Sequence, residues 1–392
     1  MRLTERVKKP VAAYVHIPFC RRRCYYCDFP VSVVGDKARG ENSGAIARYI
    51  KALSLEIETV RDETSKPLAT IFFGGGTPSL LSVSQVEAIL ADLDRGFGIA
   101  KGAEISMEMD PGTFDRAQIQ GYVAAGINRV SLGVQAFQND LLRNSGRSHA
   151  QKDVFSAVDL LHRAGVTNFS LDLISGLPHQ TLEQWRESLE MAIQLAPQHL
   201  SCYDLVLEPV TAFGKQYQPG ERPLPDDETT AQMYKIAQQA LTDAGYDHYE
   251  ISNYAQPGYQ CRHNRTYWEN RPYYGLGMGA ASFWRDRRFA RPRTRREYYA
   301  WVDAGCEITE PPLSNREKLL EELMLGLRLA DGVNLGKIRD RVGKEIVEKI
   351  EHCLQPYREK GWVEATPEGI RLSDPQGFLF SNTILAALFG AL

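Results

Sequence analysis

Between Val11 and Ala244 the chain alternates six times between a short apolar run and a stretch of helical periodicity, and this alternation sets its fold class. The apolar runs are Val11–Ile17, Ala69–Phe73, Glu104–Met109, Arg129–Val134, Asn168–Ile174 and His199–Leu207. The helical stretches are Ala45–Arg61, Ser82–Asp94, Asp115–Ala125, Ala150–Ala164, Thr181–Leu195 and Asp226–Ala244. In the first of these, Ile46, Tyr49, Ile50, Leu53 and Ile57 recur at the spacing that puts them on one face. Short strands joined by helices predict an α/β fold, with parallel strands and crossover helices. Six units are too few for a closed eight-stranded barrel, and barrels of this kind carry their sites at the C-terminal ends of the strands.

The ends of the predicted strands hold the chemistry. The first strand runs into Cys20, Cys24 and Cys27, three thiols within eight residues at C-x3-C-x2-C spacing. Thiolates select zinc, copper(I) or iron–sulfur clusters. Structural zinc takes four ligands. His16 and Asp28 stand near enough in sequence to supply a fourth, so zinc stays open beside a cluster held by three cysteines. Arg21, Arg22 and Arg23 place positive charge beside the thiols, and Tyr25, Tyr26 and Phe29 can shield them, which favours the cluster. After strand two come Gly74, Gly75, Gly76 and Thr77, a turn that lets a ligand approach the main chain. Glu108, Gln135 and Asp172 fall at or just past the ends of strands three, four and five. A glycine turn or a single carboxylate is more often structural. Their shared placement at one end of the sheet is what points to a site.

These residues resemble the radical S-adenosylmethionine (SAM) superfamily, whose signature is C-x3-C-x2-C. Tyr14-Val-His-Ile-Pro-Phe-Cys20 resembles more narrowly the branch that includes oxygen-independent coproporphyrinogen III oxidase and its haem-chaperone relatives. The resemblance implies an open six-fold (β/α) barrel with a C-terminal helical, winged-helix-like domain. It implies a [4Fe–4S] cluster on Cys20, Cys24 and Cys27. SAM would chelate the open iron and break, on one-electron reduction, to a 5′-deoxyadenosyl radical. It also implies SAM contacts from Tyr14, from Gly75, Gly76 and Thr77 to the amino group, from Glu108 to the ribose, and from Gln135, Arg147 and Asp172. The oxidase has a further cysteine two positions after the third ligand, where this chain has Phe29. With the short segment ahead of Tyr14, this points to the haem-chaperone branch: haem as ligand and haem-accepting proteins such as respiratory enzymes as partners. The alternative is oxidative decarboxylation of coproporphyrinogen III, with arginines of Arg21–Arg23 and Arg285–Arg296 reading the carboxylates.

From Tyr246 the pattern changes to an aromatic, Gly-rich run containing His263-Asn-Arg-Thr-Tyr-Trp268. Imidazole is a good axial ligand for haem iron, and Tyr267 and Trp268 offer flat apolar faces. On chemistry alone an aromatic surface segment packed on the barrel, with His263 hydrogen-bonded structurally, is the better reading. The resemblance of H-N-x-x-Y-W to the haem-associated motif of the chaperone group assigns His263, Tyr267 and Trp268 to haem, with Cys261 a weaker candidate. His149, His162 and His179 stay unassigned. Three regions are therefore expected: a barrel over 1–245, a haem-motif extension over 246–310, and a C-terminal domain over 311–392, begun by a helix over Arg316–Leu329. The polar stretch Gly35–Gly44 is expected to be mobile.

In the 392 residues, 46 lysines and arginines nearly balance 49 aspartates and glutamates. No basic field of the kind that holds nucleic acid is present, so the C-terminal winged module is read as a cap on the barrel. Seven cysteines, an odd number with three clustered, suit a reducing compartment. Met1–Pro10 lacks the apolar core of a secretory signal. A cytoplasmic protein is expected, with peripheral membrane contact left open.

Overall fold

A computed structural model describes residues 9–61 and 66–392. Its centre is a nine-stranded sheet. Six strands are those read from the sequence: β1 (Ala12–Ile17), β2 (Leu68–Gly75), β3 (Ile99–Met109), β4 (Arg129–Gln135), β5 (Phe169–Ser175) and β6 (His199–Asp204). They lie side by side in chain order and all run parallel. β1 is buried along nearly its whole length: Ala13, Val15 and Ile17 join the core under the helices, and Tyr14 faces the interior of the barrel.

The helices are α1 (Gly44–Val60), α2 (Val83–Phe97), α3 (Arg116–Ala125), α4 (Gln151–Arg163), α5 (Leu182–Gln194) and α6 (Asp227–Asp243). α1 buries Ile46, Tyr49, Ile50, Leu53 and Ile57, the face that the periodicity marks. Ser43, Asp115 and Asp226 each accept a hydrogen bond from an N–H of the first turn, and Ser82 and Thr181 open full capping boxes. The Gly35–Gly44 stretch is tied down at its centre. The Gly40 N–H donates to the Leu80 carbonyl (2.7 Å), and the Gln85 side-chain amide donates to the Gly40 carbonyl (3.1 Å).

The segment after Tyr246, expected as an extension of the barrel, finishes both edges of the same sheet. β7 (Asp247–Glu250) and β8 (Asn253–Ala255) add antiparallel strands beyond β6, while β9 (Tyr274–Leu276) pairs parallel with β1 on the far edge. Between them His263–Trp268 lies on a short helix, α7 (Arg262–Trp268). A hairpin of β10 (Ala281–Trp284) and β11 (Arg287–Ala290) and helix α8 (Arg295–Asp303) follow. Tyr274, Leu276, Tyr298 and Val302 share one apolar core with Val15, Ile71 and Leu132. Arg291 and Glu56, both buried, pair at 2.7 Å and fasten this segment to α1. The segment from Tyr246 to Asp303 thus has no core of its own apart from the barrel.

A second core is built by Leu319, Leu323, Ile338, Ile350, Leu354, Ile370 and Leu388. It belongs to helices α9 (Asn315–Gly326), α10 (Leu335–Val342), α11 (Lys344–Glu359) and α12 (Ser381–Ala391) around a small antiparallel sheet of β12 (Val333–Asn334), β13 (Val363–Ala365) and β14 (Gly369–Leu372). α9 is shorter than the apolar spacing suggests, since the chain leaves the helix to hydrogen-bond the barrel: Ile251 N–H donates to the Arg328 carbonyl and Ala330 N–H to the Tyr249 carbonyl, both at 3.0 Å. Among the described residues no helix is long and apolar enough to cross a membrane.

Candidate functional site

The C-terminal ends of β1 to β6 enclose a cavity of about 480 Å³, a volume usual for small-molecule sites. Cys20, Cys24 and Cys27, all half-buried, line it at one side. The loop that carries them is held by the Tyr25 N–H, which donates to the Ser145 carbonyl (3.1 Å), and by the Phe213 N–H, which donates to the Tyr25 carbonyl (2.9 Å). Burial, then the charge of Asp110, pushes the Cys20 thiol up to about 12, so a bound cation has to displace its proton. Arg147 is buried beside the thiols. It donates to Cys24 Sγ (3.4 Å) and to the Gly133 carbonyl (2.7 Å), and it pairs with Asp110. Among the described residues no three or more His, Cys, Asp or Glu side chains are already gathered as a metal-ligand set.

The residues available for a fourth ligand separate the two metal chemistries. His16 Nε2–H donates to the Pro30 carbonyl (3.1 Å), and the Tyr14 hydroxyl donates to His16 Nδ1 (3.0 Å). Burial lowers this imidazole to about 4, which keeps it neutral with both nitrogens engaged. Asp28 lies in an outer groove, paired with Arg293 at 3.3 Å. Neither stands on the cavity to complete a tetrahedral zinc site. Three thiols with a cavity in front of them fit a cubane with one iron open.

The opposite wall carries the polar groups expected at the strand ends. Gly75 has φ +109°, and its N–H donates to Glu108 Oε2 (2.9 Å). A Cβ at Gly75 would come 2.3 Å from the His16 ring and one at Gly76 2.7 Å from the Ile17 carbonyl, so the glycines also let β1 and β2 pack. Thr77 donates to Asp110 (3.1 Å). Glu108 is pushed up to about 8, first by burial and then by Asp172 and Asp110, against the hold of the Gly75 N–H. Asp172 accepts from Ser131 (2.8 Å) and Ser170 (3.2 Å), and burial raises it as well. Gln135 follows a bulge in β4 at φ +69°, a backbone region unusual for a side-chain-bearing residue and commonest at ligand sites.

His263 and Tyr267 line the same cavity at its inner end. α7 puts them one turn apart, and Glu104 of β3 caps the helix by accepting the His263 N–H (3.0 Å) and the Arg262 N–H (3.2 Å). The His263 ring is fully buried. Nδ1 is bonded to Thr70 Oγ1 (2.9 Å) and Nε2 to the Tyr267 hydroxyl (2.8 Å). It stacks on Phe72 at 5.3 Å, and burial lowers it to about 3. Ligation of iron by this imidazole would replace one of these two hydrogen bonds. Trp268 is not on the cavity; it faces the Arg328 guanidinium at 5.9 Å, toward the C-terminal domain. Cys261 is also buried, as the N-cap of α7.

Asp110, Arg129, Ser131, His199, Ser201 and Asn264 line the cavity without having stood out in the sequence. Asp110 precedes Pro111-Gly112 and reads there as a turn residue. Arg129 and His199 open their strands, the end where a site is not expected. Asn264 lies inside the H-N-x-x-Y-W motif itself.

An open parallel sheet, a cysteine loop leaving its first strand, and an acidic and Gly-rich wall opposite define a radical SAM protein. The radical SAM superfamily matches residues 14–192, and the HemN C-terminal domain matches residues 313–380. The heme chaperone HemW of Synechocystis is 48% identical over 98% of this chain and 97% of its own length. HemW of Bacillus subtilis is 34% identical over 97% of this chain and 100% of its own. The solved structure of Escherichia coli coproporphyrinogen III oxidase, HemN, covers 98% of this chain and 91% of its own with a TM-score of 0.84; at 23% identity it shows a shared fold. The chain belongs to the HemW family within the radical SAM superfamily.

Proposed function

We propose that this protein is a haem chaperone, binding haem and a SAM-coordinated [4Fe–4S] cluster and passing haem to acceptor proteins such as respiratory enzymes. What supports this most is near-full-length likeness to proteins named heme chaperone HemW, on a chain whose position two after Cys27 is Phe29. Cys20, Cys24 and Cys27 would hold the cluster through three of its irons. A bound cluster with SAM supplies one-electron chemistry at the sulfonium. The chain's own residues orient the ligand. The Gly75–Thr77 main chain would meet its amino group and Glu108 its ribose, with Tyr14, Gln135 and Asp172 completing the wall. Arg147 holds positive charge beside Cys24.

The second reading, oxidative decarboxylation of coproporphyrinogen III, draws on Arg22 and Arg23 at the cavity. One experiment separates the two. Anaerobically reconstituted full-length protein is incubated with coproporphyrinogen III, SAM and a reductant, and haemin is titrated in parallel. A haem chaperone gives a Soret band with haemin and no protoporphyrinogen. Protoporphyrinogen as product overturns the chaperone reading.

A further inference from the structure

The cavity continues outward past the cysteines. Phe29 and Val31 line both the cavity and an adjoining groove of about 440 Å³, whose other side is formed by Val210 and Met278. Ten large apolar or aromatic side chains are exposed among the described residues, and six of them belong to the two segments that meet here: Tyr25, Phe29 and Val33 on the cysteine loop, and Tyr203 at the end of β6 with Val206 and Val210 after it. Phe29 is 55% exposed and Val210 64%. Apolar surface gathered at the mouth of a site marks a binding surface.

The groove is also cationic. Arg23, Arg293 and Arg295 line it against one carboxylate, Asp28, which Arg293 takes up at 3.3 Å. The Arg23 guanidinium donates only to main-chain carbonyls, those of Cys27 (3.3 Å) and Phe29 (3.1 Å). Arg295 makes no ion pair among the described residues. An apolar strip flanked by two uncompensated guanidiniums is complementary to a flat apolar ring bearing two carboxylates. The inner end of the cavity offers less, since His263 is buried with both ring nitrogens bonded.

Resting on the chaperone reading, we propose that haem docks in this outer groove, its ring on Phe29, Val31 and Val210 and its propionates at Arg23 and Arg295. Haem then covers the mouth of the SAM cavity, and His263 and Tyr267 form the cavity's inner wall.

The test uses full-length, cluster-reconstituted protein titrated anaerobically with haemin and with haemin dimethyl ester, followed by the Soret band. Iron and sulfide content and SAM affinity are read for every variant. The double variant R23E/R295E is expected to weaken haemin about tenfold or more and to leave the ester's weaker binding unchanged. Phe29→Asp is expected to weaken both ligands. Wild-type haemin affinity in both variants, with a Soret band lost in His263→Ala, overturns the groove and returns haem to the inner wall. Equal loss of haemin and ester in R23E/R295E overturns the propionate contacts. A wild-type protein with no Soret band overturns the chaperone reading itself, which is a distinct result.

Discussion

Glu108 shows how surroundings decide what a carboxyl can do. Its folded value, about 8, lies above the ordinary 4.5 because burial, with Asp172 and Asp110 nearby, disfavours the charge. Near neutral pH the group is largely protonated in the ligand-free protein and can donate a hydrogen bond as well as accept one. The folded state therefore holds this proton where the unfolded chain has released it. Its contribution to stability is greatest below about pH 4.5 and declines as pH rises toward 8. Glu108→Gln is expected to flatten that decline in urea unfolding of the ligand-free protein, and Glu108→Ala is expected to lower SAM affinity about tenfold, as loss of an acceptor from a ribose hydroxyl implies. Calorimetric titration of SAM into reconstituted protein reads the second effect; an unchanged affinity removes Glu108 from the ribose.

Among the elements, α2 joins two parts that the sequence treats separately. Its capping box uses the Gln85 side chain, which accepts from the Ser82 N–H (3.0 Å) and also donates to the Gly40 carbonyl (3.1 Å). Gln85→Ala loses both bonds and is expected to cost about 1–2 kcal/mol in thermal or urea unfolding; a cost near zero would show that Gly40 is held by its own N–H alone. The parallel strands and their helices were legible because each strand turns apolar residues to the helices and each helix turns an apolar stripe to the sheet. Gly75, Glu108 and Gln135 were legible for a related reason: a cavity at one end of a sheet collects the residues at or next to the end of each strand. α7 was not legible. It is only seven residues long, and a cysteine N-cap and a carboxylate from β3 hold it in place. The engagement of His263 by Thr70 and Tyr267 was hidden for the same reason, since Thr70 lies on another strand. The pairing of β9 with β1 depends on contacts between residues far apart in the chain, which local periodicity does not report.

The whole molecule is joined at the sheet edge where β7 meets the C-terminal domain. Glu250 is fully buried there, its carboxylate without a hydrogen-bond partner among the described residues, and burial lifts it to about 7 against the polar groups of Asn253 and Ser252 and the charge of Arg328. With the folded value above the ordinary 4.5, stability is retained at acid pH and lost as pH climbs through about 7. Glu250→Gln, which keeps the shape without the charge, is expected to be more stable than the parent at pH 8 by about 1 kcal/mol or more and equal to it near pH 5. Chemical denaturation at the two pH values measures the difference; an equal gain at both would show that the effect is not titration. The pairing of β1 also bears on how the molecule is made. One neighbour of β1 is translated soon after it, the other only when Tyr274–Leu276 has been synthesised. On the ribosome the strand leading to the three thiols is an open edge for most of elongation, and the completed frame around them is available to cluster-loading machinery only late in translation.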